Sequence, residues 1–185
     1  MKETYHSNWS SVLLFLGGAA ILLIFGYQKY GLSRGVLIGG LAEIACALWL
    51  VWERYTTYIE IDQERWLVNA EQRLYPDTKI DIASILYIAR VPHFIFRSWG
   101  GRMVLFFRAH DNKIRQIGIP ETLYSWYTLQ AILKKLVSIK PTIDVDAQYK
   151  LLMSARDPRD ADLSGEAPRP AREIEAYVAS KYGPP

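Results

Sequence analysis

Cysteine is nearly missing from this chain: among 185 residues only Cys46 is present, which excludes an intramolecular disulfide framework. Cys46 lies inside a hydrophobic run and reads as a small apolar residue. Histidine is as scarce, and His6, His93 and His110 are scattered without a His or Cys partner at metal-ligand spacing. Gly100-Gly101 leads into no helix, so it is a turn signal and not a phosphate-cradling loop. Asp144 and Asp146 lack the further oxygen ligands and the glycine that a calcium loop needs. A dominant charge is absent too: 22 basic against 19 acidic residues leave a net +3, too diluted to suggest a nucleic-acid partner. No catalytic residue, metal ligand or cofactor is expected from this composition.

What the sequence does have is unevenly spread. Residues 10–52 are almost wholly apolar, and the remainder is mixed in a globular way. Residues 1–53 carry three basic and three acidic side chains, residues 54–141 carry 13 and 8, and residues 142–185 carry 6 and 8. The pattern divides the chain into an N-terminal hydrophobic region (1–53), a globular region (54–141) and a tail (142–185). The basic surplus in the middle suits a position near anionic lipid head groups.

Two runs, Ser10–Tyr27 and Gly35–Trp52, have about the length needed to cross a hydrocarbon core of ~30 Å as helices. Trp9, Tyr27, Tyr30, Trp49 and Trp52 stand near their ends, where aromatic rings favour the water–lipid boundary. The short link Gln28–Arg34 makes the two helices antiparallel neighbours. The expectation is a two-helix transmembrane hairpin; a cleaved signal peptide fits poorly, because a second apolar run follows at once. Flanking Lys and Arg lean only slightly towards cytoplasmic termini, at a bacterial inner membrane.

Small residues at Gly17, Gly18, Gly35, Gly39 and Ala42 mark candidate helix-packing positions, although Gly and Ala are common in membrane helices anyway. Glu43, in the middle of the second run, is costly in an apolar setting and finds no polar mate in the first. It is therefore either neutral and bonded to its own backbone, or the contact point for a neighbouring subunit, lipid or pigment.

From Thr56 the hydrophobic period becomes two. Tyr58–Asp62 and Arg65–Ala70 form a predicted hairpin around Asp62-Gln63-Glu64. Lys79–Arg90 suggests a short helical turn followed by a strand, and further strands are predicted at Phe94–Ser98, Arg102–Ala109 and Lys113–Ile119. Pro120 ends the last, Thr122 can cap a helix, and Leu123, Trp126, Leu129, Ile132, Leu133 and Leu136 recur at helical spacing until Pro141. Arg97, Arg102, Arg108, Lys113 and Arg115 form a loose basic set on the later strands. It is a solvated face or a docking face for acidic partners. In the tail, residues 142–169 lack periodicity beyond Tyr149–Met153, and the stretch Asp157–Pro170 reads as a flexible linker. Ile174, Tyr177, Val178 and Tyr182 then share one face of a short helix that needs a surface to lie on.

Two apolar helices followed by strand pairs, the segment "DIASI", a Gly-Gly hairpin, "IGIPET" and a closing helix resemble the membrane-anchored bacterial PH-like domain family over about residues 54–140. The resemblance implies a partly open antiparallel β-barrel capped by a C-terminal helix, so the expected fold class is a membrane α-hairpin plus an α+β domain. It also implies a role in assembling membrane complexes, photosynthetic or respiratory ones among them. It does not bring phosphoinositide binding, because Glu60, Asp62 and Glu64 surround the loop where such domains cluster Lys and Arg. The functional expectation is a non-catalytic accessory subunit that contacts integral membrane subunits through the helices and other proteins through a cytoplasmic domain. The alternative is a free membrane-anchored PH-like module that binds lipid head groups or a regulator.

Overall fold

The computed structural model describes residues 2–7, 9–31, 34–70, 78–92, 101–161 and 170–183. Strand β1 (Lys2–His6) precedes helices α1 (Ser10–Tyr30) and α2 (Arg34–Thr56). Strands β2 (Tyr58–Asp62), β3 (Trp66–Ala70), β4 (Thr78–Asp81), β5 (Ile85–Pro92), β6 (Gly101–Arg108) and β7 (Ile114–Pro120) follow. Helix α3 (Trp126–Ile139), strand β8 (Asp144–Val145), helix α4 (Ala147–Ser154) and helix α5 (Ala171–Tyr182) complete the chain.

The strands form two separate four-stranded sheets, in the orders β1-β2-β3-β4 and β7-β6-β5-β8. The first is antiparallel; in the second, β8 runs parallel to β5 through Tyr87↔Asp144 and Ile88↔Val145. The expected β-barrel is therefore corrected to an α+β arrangement of two sheets, with no closed barrel among the described residues. The physical reason lies between β4 and β5. Asp81 accepts from the Ala83 amide at 3.0 Å and caps a 3-10 turn at Ile82–Ser84, which carries the chain from one sheet to the other. A register shift between Ile85 and Tyr87 then puts Ile85 and Ile88 on one face despite their odd spacing.

One core fills the space between the sheets. Ile59, Ile61, Leu67 and Ile80 of the first sheet meet Ile85, Ile88, Met103, Leu105 and Ile119 of the second, beneath Leu129, Ile132, Leu133 and Leu136 of α3. That helix starts one turn later than Thr122 suggested, because Ser125 accepts from the Thr128 amide and is its N-cap. It is not the closing element either. Ile143, Val145, Tyr149 and Leu152 fold back into the same core, so residues 143–154 are packed structure where the sequence showed almost no periodicity. Their short β8 and an eight-residue α4 are too brief to register as a pattern.

The β2–β3 turn falls where expected, with Gln63 and Glu64 both at positive φ and the Arg65 amide donating to the Asp62 carbonyl at 3.0 Å. The strand expected at Phe94–Ser98 lies outside the described residues. Strand β1 was not expected at all. It pairs with β2 from Lys2↔Asp62 to His6↔Tyr58, and Lys135 of α3 holds it in place through Glu3 at 2.9 Å.

The hairpin itself needs a correction. Helices α1 and α2 pack against each other, but no helix is long and apolar enough, over the described residues, to cross a membrane. A crossing needs about 20 predominantly apolar residues in sequence. The membrane-spanning part of the fold expectation is accordingly withdrawn.

Candidate functional site

Because β1 and β2 are hydrogen-bonded neighbours, the helical hairpin inserted between them leaves the first sheet with both its ends side by side. At 1.5 Å per residue, helices of 21 and 23 residues extend roughly 32–35 Å. The contact between them includes Gly40, which is buried against Leu23. A Cβ at Gly40 would stand 2.8 Å from Leu23 Cδ2, so the close approach of the helices uses the missing side chain there. Gly17, Gly18 and Gly39, singled out in the sequence, have open space around the position of a Cβ, and Ala42 is exposed. The surroundings of Gly35 and the side chain of Glu43 lie outside what the structure describes.

Around that seam the hairpin is bare. Leu13, Ile21, Ile24 and Phe25 of α1 and Ile38, Leu41, Ile44 and Leu48 of α2 are all exposed. Trp9, Trp49, Trp52 and Tyr55 are exposed near the sheet end of the hairpin, and Tyr27 and Tyr30 near its tip. Large apolar side chains exposed together along two packed helices are the kind of surface that marks an interaction site, in contrast to apolar residues scattered singly.

No protein-family model matches this chain, and no curated protein or solved structure is significantly similar to it. The resemblance to membrane-anchored PH-like proteins is thereby overturned along with the spanning hairpin, and the link to photosynthetic or respiratory complexes that came with it falls as well. Function has to be argued from the surfaces of this molecule.

The α+β domain contains one polar cluster that the sequence did not reveal. Glu121, in the turn after β7, is almost fully buried and accepts four hydrogen bonds. Arg90 Nε donates to Oε1 at 2.8 Å and Arg90 Nη2 to Oε2 at 3.1 Å. The Gly101 amide donates to Oε2 at 2.7 Å, and Tyr149 Oη to Oε1 at 2.7 Å. Arg90 also reaches Gln148 Oε1 at 3.4 Å and stacks on the Trp126 ring. Burial, and then the negative charge of Glu121, push the Tyr149 phenol well above its usual range, so it stays a donor. The cluster ties β5, the start of β6, the turn after β7 and α4 together. Each Glu121 oxygen accepts two hydrogen bonds, and the cluster reads as a structural staple. No local signal marked it, because the partners of Glu121 lie 31, 20 and 28 residues away.

The tail residues singled out in the sequence do come together. Ile174 and Val178 of α5 are buried, and Tyr177 and Tyr182 are packed beside them against Tyr87, Ala89, Val104, Phe106 and Ile114 on the outer face of the second sheet. Lys181 Nζ and Tyr177 Oη both donate to Asp144 Oδ2, at 2.7 and 2.9 Å. Burial alone would raise the Asp144 carboxyl, but these two hydrogen bonds, together with the positive charges of Lys181 and Lys150, hold it below its usual range.

The basic set is not brought together as one face. Arg97 lies outside the described residues. Arg108 Nη2 donates to the Tyr182 carbonyl at 2.8 Å and so caps the end of α5, and Arg115 pairs with Asp111 at 2.9 Å. Arg102 and Lys113 are exposed. Among the described residues, no cluster of His, Cys, Asp or Glu could hold a metal ion.

Proposed function

We propose that this chain is a non-catalytic accessory or assembly subunit of a larger membrane complex, seated through its helical hairpin against integral subunits and the lipid between them. The observation that carries the proposal is the bare apolar hairpin. Aliphatic side chains are exposed on both of its helices, with aromatic rings exposed among them. Antiparallel pairing of β1 with β2 fixes the hairpin's root to a rigid sheet, so docking of the hairpin would orient the whole α+β domain. In this proposal the domain and α5 face the cytoplasm of a bacterial cell, where the exposed Arg102 and Lys113 can meet anionic head groups or acidic protein surfaces. Glu43 is a candidate contact within the apolar seat.

The test is fractionation of cells expressing the full chain, followed by mild detergent extraction and native sizing. The chain should be recovered with membranes and should run in a particle far heavier than its own 21.2 kDa, with integral proteins in fixed ratio. Replacing Leu41 and Leu48 by Lys should release it. Recovery of the unaltered chain as a lone protomer, in the aqueous fraction or in a micelle, would defeat the proposal.

A further inference from the structure

We propose that Lys140 is a modification site of this chain, an amine that accepts an acyl group from a thioester and, once acylated, loosens the crossover between the two sheets. Lys140 follows the last turn of α3 and reaches across to the 3-10 turn at Ile82–Ser84. Its Nζ donates to the Ala83 carbonyl at 2.7 Å and to the Ile85 carbonyl at 2.6 Å. It thereby clamps the turn that carries the chain from β4 to β5.

Neutral acceptors set this amine apart from the other lysines. Lys2, Lys135, Lys150 and Lys181 face carboxylates at 2.7–3.6 Å, and Lys29 and Lys79 lie over aromatic rings. Each of those settings favours the charged ammonium. Lys113 and Lys134 are exposed to water. Lys140 is half-buried, and two carbonyls occupy two of its N–H groups. A neutral amine still has two N–H groups, so it can give up its third proton and keep both contacts. The lone pair then takes the direction that neither carbonyl occupies. Burial holds the amine below the ordinary lysine value. Asp81 is the charge that opposes this, and its carboxylate is shared with the Ala83 amide and Arg65.

The transfer needs no further reagent. The neutral amine attacks the thioester carbonyl carbon, the C–S bond breaks, and the departing thiolate takes up the proton that nitrogen releases. The product amide has one N–H where the amine had two, so it serves only one of the two carbonyls. The other loses its donor, and the turn is held less tightly.

The experiment treats the full chain in mild detergent with the acetyl thioester of N-acetylcysteamine across a pH series and reads each lysine by peptide mass spectrometry. At pH 8, Lys140 should be acetylated faster than Lys134 by about threefold or more, with the midpoint of its pH profile at lower pH. Lys140→Arg keeps N–H donors at this position without a nucleophile; it should abolish the fast phase and leave the rates at Lys113 and Lys134 unchanged. In the acetylated fraction, the Ala83 and Ile85 amides, which bond to Asp81 and to the Ile82 carbonyl, should exchange faster with solvent. A Lys140 rate no higher than that of Lys134, or acetylation that leaves exchange at the crossover unchanged, would overturn the inference.

Discussion

Replacing Glu121 by Ala should be among the most damaging single changes to the α+β domain. The carboxylate is paired with an arginine whose side chain is only 11% exposed, and its own is 2% exposed, so solvent screening discounts the pair little. Removing one partner of a buried ion pair costs about 3–5 kcal/mol, because the other charge is left uncompensated. The Gly101 amide and the Tyr149 hydroxyl would also lose their acceptor, at about 1–3 kcal/mol for each group that finds no substitute. These effects overlap, since the site can relax and admit water, and we expect a loss of about 4–6 kcal/mol. At roughly 2–4 °C per kcal/mol for a chain of this size, the midpoint should fall by about 10–20 °C.

The assay is thermal and urea unfolding of the full chain in mild detergent, followed by near-ultraviolet circular dichroism. Total stability is commonly 5–15 kcal/mol, so the variant is at risk of not folding. Glu121→Gln, which keeps the shape and loses the charge, should then still show a loss of about 2–3 kcal/mol. The double change Arg90→Met with Glu121→Leu removes both charges and should be milder than Glu121→Ala, leaving the Gly101 and Tyr149 donors as its main cost. A loss under about 1 kcal/mol for Glu121→Ala, or a double variant worse than the single, would refute the staple.

Three further expectations can be checked with the same preparation. Gly40→Val should raise amide exchange along both hairpin helices, because its side chain would collide with Leu23, whereas Gly39→Val, with open space around it, should leave exchange unchanged; equal effects would show that Gly40 does not set the contact. The Thr57 hydroxyl at the root of the hairpin is buried without a hydrogen-bond partner, so Thr57→Val should stabilise by about 1 kcal/mol in urea unfolding, and destabilisation would mean that the hydroxyl is bonded in solution. Seating of α5 should weaken in acid: the Asp144 carboxyl is held below its ordinary value of 3.8, so its contribution is present above that value and is lost as pH falls through the lowered one. Amide protection of α5 that stays constant down to pH 2 while the core remains folded would contradict that linkage.

Some of this molecule could be read along the chain because the signals are local. Alternation in Tyr58–Asp62 and Arg65–Ala70 produced β2 and β3, since a strand's side chains change face at every residue. Three- and four-residue spacing produced α3 and the Ile174–Tyr182 face of α5, and Pro141 marked where α3 had to stop. The apolar surface of the hairpin was legible for the same reason, as composition concentrated in two runs.

Other features have no local signal. β1 is five residues with no telling pattern, and it becomes a strand only because β2 offers it an edge. The division into two sheets depends on one Asp81 cap and one register shift, too small to distinguish from a continuous bend in sequence. Residues 143–154 looked like a tail, yet Val145, Tyr149 and Leu152 are buried by surfaces dozens of residues away. The Glu121 staple gathers Arg90, Gly101 and Tyr149 from distant points, and the membrane-spanning reading likewise could not be carried from composition to the described helices. Periodicity and capping act between residues a few places apart, so the sequence alone determines where many elements form. Which faces meet, and which charges are buried together, is decided by contacts between distant residues and emerges only once the chain is packed.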